Sequence, residues 1–398
     1  IMSVTCLTGK PSVDRPWMKY YPEVLRNIKV PDCTVLKYLQ INCPGEDVAA
    51  IEFYGNKILW STVFKQVEEI ARALRAIGFK EGDEIPVFLS SVPEFIYILL
   101  AAEKIGASLL CRDNTLEENV EAVQKSGAKV MIAQDYLSQS ELEKYLSDTN
   151  IEKVVLLDSC YSCNRQDMPD YIQKNLNARY PEEKAHGENT LNWDEFKTLG
   201  HNYAGVVEAS VDVNRPLFRA YTSGSTGPSK QVIHSAHTML AVIAQMNFYA
   251  GSDEYRPTWM VTALPPCLVA VVVAMFLMPL ASNKLLIMNP YCAVEDVDLE
   301  LMRYRPNSWP LIPMFIETVM RNGRIPDDYD LSHLTAAGAG SESYNNNQLK
   351  RAQQFLEDHN CHIRFTTGYG NSEAGSNLTL PMTPHPMGNG NVGVPMIL

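Results

Sequence analysis

Short apolar runs alternate with helix-patterned segments along residues 61–157, and this alternation restricts the fold more than any other feature of the chain. In the helix-patterned segments apolar residues recur every three or four positions, and Gly78, Gly106 and Gly127 follow three of them as C-terminal caps. Such alternation predicts right-handed βαβ units and a mostly parallel sheet covered on both faces. The expected strands are 85–89, 108–111, 129–133 and 153–157, and the expected helices are 61–77, 93–105, 116–125 and 140–146.

The same alternation returns after residue 215, following a polar stretch that begins at residue 158 and has few apolar runs. We therefore predict an α/β protein with two doubly wound, mostly parallel sheet layers, helices on both faces, and a cleft between the layers. The predicted divisions are a first α/β subdomain with an N-terminal arm (1–158), a polar connecting region (159–215) and a second α/β subdomain (216–398). The strands expected in the second half are 217–221, 259–264, 284–288, 309–312, 334–337 and 363–366.

A loop rich in hydroxyls and glycine follows the apolar run 217–221 and precedes a segment from His234 to Tyr249 that is predicted to be a helix. Glycines let backbone N–H groups face an anion, hydroxyls add donors, and a lysine adds compact positive charge, so the loop is typical of a phosphate clamp. Its place at the carboxyl end of a strand is where open α/β sheets bind ligands. The residues of the predicted clamp are Thr222, Ser223, Gly224, Ser225, Thr226, Gly227 and Lys230.

The spacing within this loop excludes two common nucleotide-binding motifs. A P-loop has its lysine directly after the second glycine, whereas Lys230 stands three residues beyond Gly227. A dinucleotide-binding fingerprint needs G-x-G-x-x-G at the start of a helix, and this stretch lacks it. From these residues alone, a solvated Ser/Gly turn stays an alternative to the clamp.

Net charge, cysteine content and the length of the longest apolar run indicate which partners, which cellular compartment and which membrane contacts to expect. The net charge of −12 disfavours a nucleic-acid backbone or an anionic membrane as the main partner, since either favours a basic face. The nine cysteines are scattered and follow no secretory signal, which favours reduced thiols in a cytoplasm. Cys160 and Cys163 form the one close pair, and a lone C-x-x-C is more often a plain loop than a metal or redox site. The stretch Leu268 to Ala281 is uncharged over 14 residues, short of the roughly 20 that span a bilayer, and is predicted to be a buried helix.

Several motifs together resemble the signature sequences of the adenylate-forming superfamily, which includes acyl-CoA synthetases, peptide-synthetase adenylation domains and luciferases. The loop from Thr222 to Lys230 is similar to the long signature loop of that family, and Tyr369-Gly370-Asn371-Ser372-Glu373 resembles its Tyr-Gly-x-Thr-Glu motif. The resemblance runs from about residue 50 to the end and implies that the chain is most of the family's large N-terminal domain. Further segments similar to family motifs are Leu59–Ser61, Ala101–Ala107, Gly338–Ser341 and Gly390–Pro395.

The resemblance implies a role for each of these residues in the activation of a carboxylate by ATP. It implies that Thr222 to Gly227 hold the β- and γ-phosphates and that Lys230 adds charge, with Thr222, Lys230 and Glu373 contributing to catalysis. It further implies that Glu373 ligates Mg²⁺, that Ser372 reaches an α-phosphate oxygen, and that Tyr369 offers its ring to adenine. The other nucleotide-binding residues that it implies are Gly338, Ala339, Gly340, Gly370 and Asn371.

The chain departs from the family pattern at several places. Gln231 follows Lys230 where the family has glycine, and Cys267 and Leu268 stand where it often has an aromatic residue and a histidine, so no role is assigned to those two. The family's ribose-binding aspartate, hinge and catalytic lysine lie beyond its Gly-x-Val-Gly-x-Pro segment, and this chain stops at Leu398. We therefore expect the mobile C-terminal domain to be absent and the polypeptide as given to be weakly active or inactive.

The resemblance predicts an acid–thiol ligase of the acyl-CoA synthetase type, which uses ATP and Mg²⁺ to form an acyl-adenylate and then passes the acyl group to coenzyme A. No carboxylate occurs from Leu264 to Ser282 to pair an α-ammonium group, which favours an uncharged aliphatic or aromatic acyl tail. The expected wall for that tail is Leu268–Met278 with Ile312–Phe315. A carrier protein as acceptor, a nucleotide- or acyl-binding module without catalysis, and a homodimer stay open.

Overall fold

The computed structural model describes residues 7–222, 228–246, 255–381 and 391–397. Most of its strands lie in two sheets of seven strands each, and the others form two short pairs. The strands are β1 (Ala49–Phe53), β2 (Asn56–Leu59), β3 (Glu84–Phe88), β4 (Ser108–Leu110), β5 (Val130–Gln134), β6 (Lys153–Leu157), β7 (Thr190–Asn192), β8 (Pro216–Tyr221), β9 (Gln231–Ser235), β10 (Thr258–Thr262), β11 (Leu285–Asn289), β12 (Ser308–Leu311), β13 (Ala336–Ala339), β14 (Thr366–Thr367), β15 (Gly370–Asn371), β16 (Ser376–Asn377), β17 (Thr379–Leu380) and β18 (Val394–Pro395).

Helices connect the strands, and their ends follow capping rules. Thr115, Ser138 and Asn192 accept backbone N–H groups at the start of three helices, and Gly106 and Gly127 take positive φ angles at the end of two. The α-helices are α1 (Pro11–Asp14), α2 (Glu23–Arg26), α3 (Val35–Asn42), α4 (Trp60–Ala76), α5 (Pro93–Ile105), α6 (Leu116–Ser126), α7 (Gln139–Asp148), α8 (Asp170–Asn177), α9 (Trp193–His201), α10 (Ala236–Met246), α11 (Met278–Ala281), α12 (Val297–Tyr304), α13 (Pro313–Asn322) and α14 (Asn346–Asp358). 3₁₀ helices span Pro16–Tyr20, Arg165–Asp167 and Val294–Asp296.

Both large sheets are mostly parallel, which confirms the predicted fold class. The first has the strand order β7-β6-β5-β3-β4-β8-β9, and the second has the order β14-β13-β12-β10-β11-β1-β2. In each sheet one edge strand is antiparallel to its neighbour, β9 beside β8 and β2 beside β1. Because the other pairings are parallel, the carboxyl ends of the strands line up along one edge of each sheet, where α/β proteins bind ligands.

Sheet membership crosses the predicted divisions of the chain in two places. β8 and β9 lie in the first sheet, next to β4, whereas β1 and β2 lie in the second sheet, next to β11. The predicted connecting region 159–215 contains α8, β7 and α9, and β7 extends the first sheet beyond β6. The division into three parts stays a prediction about the chain.

The segment after the predicted phosphate loop differs from expectation. A helix was expected from His234, but β9 runs antiparallel to β8 with Gln231 opposite Tyr221, and the helix begins at Ala236. Val232 and Ile233 are β-branched and suit a strand, and pairing with β8 satisfies their backbone groups. The loop therefore connects the two strands of a hairpin instead of a strand and a helix.

The apolar stretch from Leu268 to Ala281 is mostly buried, as expected. Its residues Val271–Leu277 form a π-helix, in which the Met278 N–H bonds to the Val273 carbonyl, and α11 continues from it. Phe276 packs against Phe95 of α5 with ring centroids 6.3 Å apart. In the described ranges, no helix combines the length and apolar character that crossing a bilayer requires.

A buried network joins the two sheets at the carboxyl ends of their strands. Tyr291 follows β11, and its hydroxyl donates to the Ser159 carbonyl at 2.6 Å and accepts from Nε2 of Gln134 at 2.9 Å. Its ring stacks on Tyr54 at 5.7 Å, and its N–H donates to the Tyr54 hydroxyl at 2.9 Å. Arg179 places its guanidinium carbon 5.3 Å from the centroid of the Tyr291 ring. Because Gln134 ends β5 of the first sheet, this network fixes how the two sheets meet.

The substitution Tyr291→Phe is expected to lower the free energy of unfolding by about 1–3 kcal/mol, because it leaves the buried Gln134 amide without its acceptor. Urea denaturation of the two proteins measures this difference. The matched control is Tyr203→Phe, whose hydroxyl lies 3.5 Å from the Val206 carbonyl near the surface and should change stability by no more than about 0.5 kcal/mol. Equal losses in both variants would show that the network does not stabilise the junction.

Candidate functional site

The ends of the predicted phosphate loop are held together at the loop end of the β8–β9 hairpin. The N–H of Thr222 donates to the Lys230 carbonyl at 2.9 Å, and the N–H of Lys230 donates to the Thr222 hydroxyl oxygen at 3.0 Å. The Ser229 hydroxyl donates to the Thr222 carbonyl at 2.6 Å. The base of the loop is therefore fixed, and Lys230 is exposed beside it. The remaining predicted clamp residues, Ser223, Gly224, Ser225, Thr226 and Gly227, lie outside the described residues.

Arg112 places a second cation near the base of the loop, and sequence reasoning missed it. It follows β4, the strand next to β8, and its guanidinium carbon lies 4.3 Å from the centroid of the Tyr221 ring. A salt bridge of 2.9 Å to Glu118 orients the side chain, while its Nε is buried with no hydrogen-bond partner among the described residues. No local pattern marks this arginine, because Tyr221 is distant in sequence and meets it only when β4 and β8 pair.

The Tyr369–Glu373 motif forms a tight hairpin in which β15 pairs antiparallel with β16. A Cβ on Gly370 would lie 2.0 Å from the Ser376 carbonyl oxygen, so this close approach of the two strands requires glycine. Tyr369 is 54% exposed, and Glu373 is exposed as well. The hairpin therefore holds an aromatic ring and a carboxylate at the surface.

His234 connects the loop hairpin to this second hairpin, although the sequence alone placed it only at the start of a predicted helix. It lies in β9, is buried, and has its Nε2 at 2.7 Å from the Ser372 carbonyl oxygen. Because a carbonyl oxygen only accepts, Nε2 carries the hydrogen. Burial lowers the pKa of His234, and the bond to Ser372 opposes that shift in part, so the ring is neutral near pH 7. A neutral N–H···O bond thus sets the distance between the two hairpins.

The glycine-rich segment Gly338–Gly340 lies at the carboxyl end of β13, close to Gly368, the residue before Tyr369. A Cβ on Gly338 would lie 2.6 Å from Oγ1 of Thr366 in β14, so the two strands approach closely only because this residue is glycine. The N–H of Gly368 donates to the Ala339 carbonyl at 3.2 Å. The structure therefore brings together the segment predicted to lie beside adenine and the motif predicted to contact it.

The last predicted motif, of which residues 391–395 are described, supports Tyr369 through hydrogen bonds to Thr379. The Tyr369 N–H donates to Oγ1 of Thr379 at 3.0 Å, and the Thr379 hydroxyl donates to the Val392 carbonyl at 2.6 Å. β17 pairs with β18, and the Pro395 carbonyl accepts from the Tyr21 hydroxyl at 2.9 Å. Asn391 to Pro395 therefore hold the start of the Tyr369 hairpin in place, and Gly390 lies outside the described residues.

The predicted acyl wall combines buried residues with residues open to solvent. Leu268 is 44% exposed and Met314 is 45% exposed, whereas Phe276 and Phe315 are buried in the core. Burial raises the pKa of the Cys267 thiol to about 12, so this side chain is neutral. The open part of the wall is thus apolar and uncharged at these positions.

Glu373 could contribute one ligand to a magnesium ion that also binds substrate phosphates. Within the described parts of the chain, no three His, Cys, Asp or Glu side chains cluster closely enough to hold a metal ion. Mg²⁺ commonly binds one or two carboxylates and completes its shell with phosphate oxygens and water. An exposed single carboxylate on a rigid hairpin fits that mode of coordination.

Comparison with known proteins assigns the chain to a family. The profile of the AMP-binding enzyme family matches residues 40–397. Over 348 residues the chain is 26% identical to acetyl-coenzyme A synthetase 1 of Candida albicans. The aligned region is 82% of this chain and 48% of the synthetase. Over 331 residues it is 24% identical to 4-coumarate–CoA ligase of Vanilla planifolia, and the aligned region is 80% of this chain and 53% of the ligase. The chain therefore spans about half the length of the curated relatives it matches.

Solved structures share the fold. The anthranilate CoA ligase AuaEII in complex with anthranoyl-AMP superposes with a TM-score of 0.73 at 14% identity, covering 94% of this chain and 66% of that one. ATP-bound MatB from Rhodopseudomonas palustris superposes with a TM-score of 0.71 at 16% identity, covering 91% of this chain and 64% of that one. At these identities the likeness shows the fold alone, and the family match rests on the sequence. The chain belongs to the AMP-binding enzyme family, which confirms the resemblance drawn from its motifs.

Proposed function

We propose that the protein containing this chain activates a carboxylic acid with ATP and transfers the acyl group to coenzyme A. In the first step a carboxylate oxygen attacks the α-phosphorus of ATP, which forms an acyl-adenylate and releases pyrophosphate. In the second step the thiol sulfur attacks the acyl carbonyl, and AMP leaves as the thioester forms. The names of the acetyl-coenzyme A synthetase and 4-coumarate–CoA ligase relatives support this class of reaction.

The hydrogen bond between His234 and the Ser372 carbonyl is the observation that carries this proposal. ATP must be held by its terminal phosphates while its α-phosphorus meets the acid, so two sets of groups have to lie at a fixed spacing. The bond links the hairpin that ends in the phosphate loop to the hairpin that presents Ser372 and Glu373. Groups that are already in place need not reorganise during the reaction, which lowers the barrier.

We assign the grip on the terminal phosphates to the loop from Thr222 to Lys230. The Thr222 hydroxyl oxygen accepts from the Lys230 N–H, which leaves its own hydrogen available for a phosphate oxygen. The exposed Lys230 ammonium supplies charge to the departing pyrophosphate, and the Ser372 hydroxyl is proposed to reach the α-phosphate. Glu373 would hold Mg²⁺, which supplies positive charge to the phosphates when bound.

We assign adenine to the space between Tyr369 and Gly338–Gly340. The Tyr369 ring is exposed, and Gly338 and Gly340 are partly exposed and have no side chain to obstruct a flat ring. Aromatic faces stack on bases with a contribution of about 1–3 kcal/mol. The bond between Gly368 and Ala339 keeps the two sides of this space at a constant separation.

An uncharged acyl tail fits the proposed acyl site better than an amino acid does. Leu268 and Met314 are apolar and partly open, and the sequence has no carboxylate from Leu264 to Ser282. An α-ammonium group in such surroundings would be left without a counter-charge, which is costly when it is desolvated. Apolar carboxylic acids are therefore the proposed substrate class.

Pyrophosphate exchange tests the proposed function directly. With the complete protein, labelled pyrophosphate should enter ATP only when an apolar carboxylic acid is present, because the exchange requires formation of an acyl-adenylate. Amino acids and a reaction without acid are the controls and should give no exchange. Nucleotide binding without exchange would identify a binding module instead, and release of phosphate without any acid would identify an ATPase.

The substitution Glu373→Gln in the complete protein is expected to lower Mg²⁺-dependent exchange by about three orders of magnitude. The reason is that a metal contributes several kcal/mol to stabilising transition-state charge, and about 1.4 kcal/mol corresponds to a tenfold change in rate. The control Glu357→Gln removes an exposed carboxylate on α14 and should keep full activity. Unchanged exchange in Glu373→Gln, with both variants folded by circular dichroism, would remove Glu373 from the site.

The buried His234 should make stability depend on pH. The pKa of His234 is lower in the folded state than in the unfolded chain, so the unfolded chain binds a proton first as the pH falls. The free energy of unfolding therefore decreases once the pH falls below the ordinary pKa of histidine. We expect the free energy of unfolding to fall more steeply for the unsubstituted protein than for His234→Gln between about pH 7 and about pH 5. His362→Gln changes an exposed histidine and should keep the steeper slope. Identical slopes for the unsubstituted protein and His234→Gln would contradict the burial of a neutral ring.

A further inference from the structure

Cys160 and Cys163 lie in a single turn beside the junction between the two sheets. The N–H of Cys163 donates to the Cys160 carbonyl at 3.2 Å, and the N–H of Tyr161 donates to the Asp158 carbonyl at 3.0 Å. A turn closed by such a bond brings the first and fourth Cα atoms within about 7 Å, and a disulfide needs a Cα separation of about 4.4–6.8 Å. The backbone of this turn is therefore compatible with the separation that a disulfide requires.

The two thiols differ in exposure and in the direction of their pKa shifts. Both thiols are free, with Cys160 buried and Cys163 on the more open side. The hydrogen bond from Cys163 and the charge of Arg165 hold the pKa of Cys160 below its ordinary value, although burial and the carboxylates of Asp158 and Asp135 oppose this shift. The same hydrogen bond raises the pKa of Cys163. Cys160 is thus the thiol that ionises first, and Cys163 is its neighbour.

We propose that this turn is a site of reversible oxidation, at which Cys160 and Cys163 form a disulfide on reaction with hydrogen peroxide. The Cys160 thiolate attacks one peroxide oxygen, the O–O bond breaks, and the leaving hydroxide takes up a proton to become water. The Cys163 sulfur then attacks the sulfenic acid on Cys160, its proton leaves with the hydroxyl as a second water, and the S–S bond forms. Two thiols and one peroxide thus give one disulfide and two waters.

The remaining described cysteines lack these features. Burial raises the pKa of the buried thiols of Cys111, Cys267, Cys292 and Cys361, which makes them poor nucleophiles. Cys33 and Cys43 are partly buried like Cys163, yet burial also raises their pKa values, and neither is paired with another thiol in a turn. Reaction at low peroxide should therefore be selective for Cys160.

The turn is tied to both sheets, so its oxidation would act on a structural junction. The N–H of Asn164 donates to the Tyr54 carbonyl at 3.1 Å, and Nδ2 of Asn56 donates to the Ser162 carbonyl at 2.8 Å. The Ser162 hydroxyl donates to the carboxylate of Glu94 in α5. A disulfide across so short a loop adds little chain constraint, which is typical of reversible disulfides more than of structural ones.

Peptide mapping of the full chain tests this proposal. Trypsin releases residues 154–165 as one peptide, which contains Cys160 and Cys163 and no other cysteine. After treatment of the native protein with equimolar hydrogen peroxide, this peptide should be two hydrogens lighter and resist iodoacetamide until dithiothreitol is added. The peptides with Cys33 and Cys43 should remain fully alkylated in the same sample. A fully alkylated 154–165 peptide, or a Cys160 sulfinic acid beside an alkylated Cys163, would overturn the proposal.

Two variants separate the roles of the thiols. In Cys163→Ser the sulfenic acid on Cys160 should persist and be trapped by dimedone, whereas in Cys160→Ser the Cys163 thiol should stay unoxidised at the same dose. Thermal unfolding of both variants checks that the turn still folds, and if either unfolds, the mapping of the unsubstituted protein decides alone. Dimedone labelling at Cys163 in Cys160→Ser would contradict the assignment of Cys160 as the reacting thiol.

Discussion

One buried tyrosine contacts the strand ends of both sheets, and the relative position of the two halves of the candidate site depends on how those sheets meet. The Tyr291 hydroxyl binds Gln134 and Ser159 of the first sheet's strand ends, while its backbone and ring bind Tyr54 of the second. Both of its hydroxyl partners are protein groups, so one sheet cannot slide over the other without leaving a buried polar group unpaired. Each such group costs about 1–3 kcal/mol, which is a large fraction of the stability of a typical domain.

On this framework the candidate site is assembled from two halves that belong to different sheets. The loop from Thr222 to Lys230 closes a hairpin of the first sheet, and the Tyr369–Glu373 hairpin follows β14 of the second. His234 joins them by one hydrogen bond to the Ser372 carbonyl. Burial keeps the histidine neutral, so the link between the halves is a directional bond and not a salt-sensitive charge pair.

Local patterns were enough to predict the four strands and four helices between residues 60 and 157. The helix Pro93–Ile105 and the strand Lys153–Leu157 have the predicted bounds, because their apolar periods and end signals lie within their own residues. β9 was predicted as the start of a helix because its pairing with β8 lies outside its own sequence. Lys230 was predicted from the residue types of its loop and Glu373 from the resemblance of its motif to a family signature, and both roles stay predictions. Arg112 and His234 were not assigned roles in the site, since their partners Tyr221 and Ser372 lie elsewhere in the chain.

The sequence by itself determined the fold class, the order of the motifs and the family to which the chain belongs. Only the tertiary structure decided that β1 and β2 join the second sheet, that β8 and β9 join the first, and that His234 connects the two hairpins. The physical reason is that helix and strand periods of 3.6 and 2 residues are local properties of the chain. Strand pairing and hydrogen bonds between distant residues form only when the folded backbone brings those residues together.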